Sequence, residues 1–333
     1  MGDFEKIEFI FLSQEEVMQV GLSMEQVIEI VERVFYEHGV KRVENPPKPG
    51  IHPIPSAFLH AMPAFLPELQ AAGMKWVSSF PTNYKHNLPA VMGVIILNDV
   101  QTGRPLAMMD CRWITAARTG AVSAVAAKYL AKKQAEVVGI VGAGVQGRFN
   151  LLAIKEVLPD LRLAKYYDIS EDTLKFCVKK MSETLPFPVK ACNSTQEVIE
   201  DSDVIVTATG KLEQVIYYER WVGKGALVLP VHHRGWEKQL IHKADKFVTD
   251  DWAQLSNAAR TVGGFDGTLP EPYAELGEIV AGIKPGRERS EERIVDFNYG
   301  LAMEDIAIAQ QVYQKAYPSG LGKKLVLMES DFN

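Results

Sequence analysis

Cysteine is scarce in this 333-residue sequence: Cys111, Cys177 and Cys192 are its only three, they lie far apart, and none sits in a C-x-x-C pair. That spacing argues against a disulfide framework and a structural zinc site, and leaves buried, reduced thiols as the expectation. Long apolar runs are missing too. No stretch approaches the roughly 18 residues a membrane helix needs, and the opening MGDFEKIEF is charged where a signal peptide would be hydrophobic. A soluble, cytoplasmic chain with no membrane partner is expected. Positive charge is in deficit, with 36 Lys plus Arg against 42 Asp plus Glu and a formal net charge of −6. Phosphate neutralisation needs a basic surface, so nucleic acid is not an expected partner. The densest charged run, Gly286–Arg293 (GRERSEER), is mixed in sign and reads as solvated. Internal repeats and low-complexity tracts are absent.

Apolar residues make up 47% of the sequence, enough for one large or two ordinary cores. Ser13 with Glu16 and Ser23 with Gln26 have capping-box spacing, and the second pair opens a helix with Val27, Ile30, Val31, Val34 and Phe35 on one face, ending near Gly39. Residues 45–63 are proline-rich and extended. GMKWVSSF, AVMGVIILND and LAMMD then read as strands, with a turn at Thr102–Pro105. The first 115 residues are therefore expected to begin with helices and to form an α+β domain with a mostly antiparallel sheet. From Thr115 the rhythm changes. An Ala-rich helix to Ala131 precedes strand candidates at 137–141, 163–167, 189–192, 204–208, 227–231 and 247–249, with helical stretches such as FNLLAIKEVL between them. That alternation implies a parallel, doubly wound sheet, so the fold class is α/β, with a Rossmann-type domain over 116–304. A late amphipathic helix within YGLAMEDIAIAQQVYQKAY lets residues 305–333 return to the first domain.

The first strand of that second region runs into three glycines spaced G-x-G-x-x-G in VVGIVGAGVQG, Val137–Gly147. Such a triplet also occurs as a plain tight turn, but here it follows a strand directly and leads into a helix, where N–H groups can meet a pyrophosphate. Gly142 is expected to make the turn, Gly144 to let the backbone approach the phosphates, and Gly147 to let helix and strand pack closely; Val145 and Gln146 lie within the same loop. Asp168 ends the next strand candidate, where a carboxylate accepts from the adenosine ribose hydroxyls, although its 26-residue step from Gly142 is longer than the usual spacing of about 20. A carboxylate there repels a 2′-phosphate and no Arg or Lys follows in DISEDT, so NAD(H) is favoured over NADP(H). The alternative for Asp168 is a helix cap, which leaves cofactor choice open. Thr207, Ala208 and Thr209, where the strand candidate at 204–208 ends, complete the expected cofactor set.

Over nearly its whole length the sequence resembles the ornithine cyclodeaminase and mu-crystallin family. The resemblance is carried by NPPKPGIH, LHAMPAFLPELQAAGMKWVSSFPTN, LPAVMGVIILNDVQTGRPLAMMD, TAARTGAVSAVAAKYLA, VGAGVQG and GLAMEDIA, in matching order and spacing. It implies hydride transfer between nicotinamide and the α-carbon of an amino acid or its imine. It also implies that Lys75 and Arg118 contact substrate, that Lys48 stands where many members have Arg, and that His60 and Met62 line the pocket. Asp305 matches a family Asp, and tying a helix to the active-site wall is as good a role for it as catalysis. Thr119, next to Arg118, is placed to donate to a cofactor phosphate. The physical logic agrees, because a guanidinium fork orients a carboxylate in a way an ammonium cannot. Lys75 stands between apolar residues of a strand-like run, where a buried ammonium demands an anionic partner or ligand. The family also forms homodimers through its N-terminal domain, which makes the apolar AVMGVIIL run a candidate interface strand.

One segment departs from the family. Where the cyclodeaminases carry a loop with a catalytic Asp, this chain has the shorter HHRGWEKQL without one. Cyclodeamination is thereby put in doubt, while hydride transfer is not. His232 or His233 is expected to replace that carboxylate as proton donor, or Arg234 with Trp236 to shape a pocket for an acidic or aromatic side chain; plain loop residues are the alternative. The expectation is an NAD(H)-dependent oxidoreductase acting on the C–N bond of a small α-amino or α-imino acid, with Lys75, His232 or His233, and Asp305 as catalytic candidates and no metal. The rivals are a cyclodeaminase-like lyase that recycles NAD and a non-catalytic, mu-crystallin-like binding protein.

Overall fold

A computed structural model describes residues 6–210, 212, 214–232, 234–261 and 269–329. The chain runs β1 (Ile7–Leu12), α1 (Gln14–Gln19), α2 (Met24–Gly39), β2 (Gly50–Ile51), β3 (Phe58–Leu66), β4 (Ala71–Ser79), β5 (Val91–Asn98), β6 (Pro105–Asp110) and α3 (Arg112–Leu130). Strands and helices then alternate through β7 (Val137–Val141), α4 (Val145–Val157), β8 (Leu163–Tyr167), α5 (Glu171–Thr184), β9 (Val189–Ala191), α6 (Thr195–Ile199) and β10 (Val204–Thr207). The remainder is β11 (Leu227–Pro230), α7 (Gln239–His242), β12 (Lys246–Thr249), α8 (Trp252–Thr261), β13 (Ala274–Glu275), α9 (Leu276–Val280), β14 (Ile294–Phe297), α10 (Ala302–Ser319) and β15 (Lys323–Met328). Among the described residues no helix is long and apolar enough to cross a membrane.

The described residues divide into two units, one of 6–30, 42–118 and 301–329, the other drawn from Val31–Lys41 and Thr119–Gly300. The sequence expectation kept 31–41 with the first region, but here they belong with the second: Gly39 lies so close to Gly277 that a Cβ on it would stand 2.0 Å from the Gly277 carbonyl oxygen.

The first unit is built on a seven-stranded sheet in the order β15-β1-β6-β5-β4-β3-β2. Its pairs are antiparallel except β1 with β6. Met62, Lys75, Ile95 and Met109 are register partners on successive strands, so their side chains form one row on one face, and none is more than 4% exposed. Helix α10 covers that face across β3, β4 and β5. On β4, a Cβ at Gly73 would stand 2.3 Å from the Ile96 carbonyl oxygen of β5 and 3.2 Å from Ile306 Cδ1 of α10. The chain opens with strand β1 rather than with helices, because the alternating EFIFL finds its partners far along the sequence, β6 on one side and β15 on the other.

The second unit carries eight parallel strands in the order β13-β12-β14-β11-β10-β7-β8-β9. Strands β10, β11, β12 and β14 are buried along their whole length, and β10 and β11 accordingly read as short continuous apolar runs instead of alternating ones. The order reverses between β7 and β10, the point of a doubly wound sheet where ligands bind. Strand β14, which the sequence reading did not pick out, inserts between β11 and β12.

Candidate active site

The second unit places its glycine triplet at that reversal. Gly142 adopts φ +105°, a conformation glycine takes at no steric cost, and a Cβ there would lie 2.5 Å from the Ala208 carbonyl oxygen. A Cβ on Gly147 would lie 1.9 Å from the Gly142 oxygen, so the start of α4 rests directly on the turn. Around Gly144 a Cβ would meet nothing within 4 Å. Open space above a helix N-terminus suits a pyrophosphate, and the buried Gln146 Oε1, which lacks a hydrogen-bond partner, together with half-exposed Val145 flanks it. These features fit a dinucleotide.

Asp168 organises the loop. Its Oδ2 accepts from the Ala143 N–H at 2.8 Å and its Oδ1 from the Ser170 N–H at 2.9 Å. It does not cap α5; Ser170 does, accepting from the Thr173 N–H. Arg148, absent from the expected set, donates to the Ala143 carbonyl at 3.0 Å. Thr119 stands on α3 beside Gly120, where a Cβ would be 2.5 Å from the Phe149 oxygen of α4. Across the reversal, the Ala208 N–H donates to the Val141 carbonyl at 2.8 Å, extending the ladder past β7. Thr207 is fully buried and its hydroxyl accepts from Trp236 Nε1 at 3.1 Å, while Thr209 bonds the Tyr217 hydroxyl at 3.0 Å.

The described residues that follow β11 are pinned to the 216–217 segment. The Ile216 and Tyr217 N–H groups donate to the Gly235 carbonyl, the Glu237 N–H donates back to Tyr217, and the Trp236 ring packs 4.9 Å from that of Tyr217. Trp236 is thus held by Thr207 and Tyr217. His232 accepts the Arg234 N–H at Nδ1, 3.3 Å away, which in the neutral ring leaves the proton on Nε2. His233 lies outside the described residues.

The first unit gathers the expected cations. Lys75, 1% exposed, donates to Asp305 Oδ2 in a short bond. Arg118 Nη1 donates to Glu304 Oε2 at 2.7 Å, and its Nε stands 3.5 Å from Asp305 Oδ1. Burial, reinforced by Arg118, lowers the Lys75 pKa against the opposing pull of Asp305. The cluster is two cations against two carboxylates from strand β4 and helices α3 and α10. Glu304 was missed because GLAMEDIA reads as a capped helix start, and its Oε1 does accept the Leu301 N–H at 3.3 Å.

Along β3, Met62 lies directly opposite Lys75, and His60 follows on the same face. The His60 ring stacks on Phe58 at 4.1 Å and meets His52 edge-on at 6.3 Å. It needs Gly50, on which a Cβ would be 2.2 Å from His60 Cδ2. Burial and then the charges of Lys48, His52 and Lys75 push His60 down to about 4. Lys48 immediately precedes Pro49, whose carbonyl accepts the Ala61 N–H of β3 at 3.0 Å.

The profile of the Ornithine cyclodeaminase/mu-crystallin family matches residues 8–320. Alanine dehydrogenase of Archaeoglobus fulgidus is 35% identical over 326 residues, 96% of this chain and 98% of that protein. The Delta(1)-pyrroline-2-carboxylate reductase of Thermococcus litoralis, solved with NADH and L-proline, superposes with a TM-score of 0.86 at 35% identity, covering 95% of this chain and 99% of that one. An archaeal alanine dehydrogenase dimer with bound NAD superposes at 0.85 with 33% identity, covering 97% and 100%.

Proposed function

This chain belongs to the ornithine cyclodeaminase/mu-crystallin family, and we propose that it is an NAD(H)-dependent oxidoreductase that interconverts a small α-amino acid and its α-imino acid. The observation that carries the reading is the buried pairing of Lys75 and Arg118 with Asp305 and Glu304 in a chain whose other unit carries a glycine turn suited to a dinucleotide. NADH and proline bound to the Thermococcus litoralis relative, and NAD bound to the archaeal one, support the cofactor and the substrate class.

In this reading Arg118, aided by Lys48 and Lys75, clamps the substrate carboxylate, and His60 and Met62 line the same face. Orientation of the α-carbon is the main task, because hydride transfer requires a near-attack geometry. NAD(H), when bound, supplies or accepts the hydride. Gly142, Gly144, Val145, Gln146 and Gly147 cradle the pyrophosphate with Thr119, Asp168 holds the ribose, and Thr207, Ala208 and Thr209 border the nicotinamide half. Among the described residues, Lys75, hydrogen-bonded to Asp305, and His232 are suited to move the proton at nitrogen. Arg234 meets the substrate side chain. The enzyme works in the cytoplasm as a homodimer, a state supported by the dimeric archaeal relative and by the half-buried apolar back of the first sheet, which carries Trp76, Val94, Ile96 and Met108.

The test is NADH oxidation with cyclic imino acids, and with 2-oxo acids plus ammonia. Turnover with NADH well above that with NADPH, lost in Arg118→Met, is expected. Ammonia release from L-ornithine without net NADH change would select the lyase, and cofactor binding without turnover across the panel would select a binding protein.

A further inference from the structure

Helix α4 begins at a glycine. Its N-cap is Gly144, in extended conformation at φ −70° and ψ −164°, and a glycine offers no side-chain oxygen to the N–H groups of the first turn. Those donors then suit an anion from outside the chain. Glycine on either side of Ala143 works against rigidity, however. Gly142 and Gly144 give the backbone the shape and clearance that the turn requires, and they also give it the most freedom to leave that shape. Such a turn binds well only if something else holds it still before the ligand arrives.

The hold is applied at the one non-glycine residue between them. Ala143 is fully buried; its N–H donates to Asp168 Oδ2 at 2.8 Å and its carbonyl accepts from Arg148 Nη1 at 3.0 Å. A carboxylate that follows β8 and a guanidinium on α4 thus grip a single residue from its two ends. Both bonds involve a charged partner, the stronger class of hydrogen bond. Arg148 is itself braced, with Cζ 5.5 Å from the centre of the Phe176 ring on α5. A planar fork can donate to Ala143 while it packs against Phe176, which a lysine ammonium does less well. The flanks of the turn are tied to β8 as well, because the Gly142 N–H donates to the Tyr167 carbonyl at 2.8 Å and the Tyr166 hydroxyl donates to the Gly147 carbonyl at 2.9 Å.

We infer that Arg148 is a positioning residue for the dinucleotide: together with Asp168 it clamps Ala143 and keeps the Gly142–Gly144 turn in its binding shape in the free enzyme. Arg148 acts through the backbone and touches no reacting atom. Asp168 gains a second task besides the ribose. The inference rests on the placement of the pyrophosphate at Gly144.

NADH binding is titrated by fluorescence, and ADP, which keeps the adenosine and two phosphates but lacks nicotinamide, by displacement of NADH. Amide hydrogen exchange over residues 142–148 is followed in the cofactor-free chain. Protection of these amides in the unsubstituted chain is expected. Arg148→Met is expected to speed their exchange and to weaken NADH and ADP alike by about tenfold, the scale of one hydrogen bond to a charged group. Arg148→Lys, which can still donate to Ala143, is expected to recover part of that loss. In Asp168→Ala, where the clamp has already lost one end, adding Arg148→Met should weaken NADH by no more than about twofold further. Unprotected amides in the unsubstituted free chain, a result that needs no variant to fold, overturn the inference. The same loss repeated in full in Asp168→Ala, which marks Arg148 as an independent charge, overturns it too, as does a loss for NADH that ADP does not share. If Gly144→Ala binds NADH unchanged, the pyrophosphate reading fails and the inference goes with it. If Gly144→Ala weakens NADH while Arg148→Met does not, the inference alone fails.

Discussion

Lys75 of β4 and Asp305 of α10 stand 230 positions apart in the sequence and share a hydrogen bond at side-chain exposures of 1% and 0%. Neither charge would be tolerable there alone. An ammonium in an apolar row between Met62 and Ile95 is compensated because α10 brings a carboxylate down onto the same face.

Removing one partner should therefore cost far more than removing both. Asp305→Asn is expected to destabilise by about 3–5 kcal/mol, and Lys75→Met with Asp305→Leu to recover most of that loss while remaining inactive. Urea denaturation of the single and double variants measures it. A single-variant cost below about 1 kcal/mol would mean that the pair is not desolvated as described.

The glycines of the turn should separate folding from binding. Gly147→Ala places a methyl 1.9 Å from a backbone oxygen and should destabilise by about 1–3 kcal/mol, the usual scale of overpacking. Gly144→Ala meets nothing within 4 Å and should leave the melting temperature unchanged. Its methyl would enter the space assigned to the pyrophosphate, so NADH affinity should fall by about tenfold, equal to about 1.4 kcal/mol. Equal NADH binding by Gly144→Ala and the unsubstituted chain, read by fluorescence titration, would move the phosphates elsewhere.

His60 should leave a signature in stability against pH. Its folded value of about 4 lies below the free imidazole value of about 6.5, so between these limits the unfolded chain binds the extra proton. Stability from this group is complete above about pH 6.5 and is lost as pH falls toward 4. The difference in stability between the unsubstituted chain and His60→Gln should shrink across that window. A constant difference from pH 7 to pH 4 would show that the ring is not held neutral by burial and its basic neighbours.

Legibility in the sequence followed how local the cause was. Strands β7 and β8 occupy the expected residues 137–141 and 163–167, because each is an apolar run bounded by turns and closed by a parallel neighbour. Strand β14 was missed, since IVDF is four residues long and carries Asp296, a residue that burial and the nearby Asp250 push up to about 8 and so hold largely protonated. Lys75 stood out because an ammonium within an apolar strand has to be answered by an anion. Glu304 did not, because its capping role and its ion pair look the same in a one-dimensional reading.

The order of amino acids alone determined the glycine turn, the acidic residue after β8, the alternation of strands and helices, and the need for an anion at Lys75. All of these follow from periodicity and from the cost of burying charge within a few residues of chain. Which carboxylate answers which cation was decided only in three dimensions. Helix α10 packs across β3, β4 and β5, and that packing brings Asp305 to Lys75 and Glu304 to Arg118. Hydrophobic burial, which acts between segments distant in sequence, set that docking, and the ion pairs formed where it left the charges.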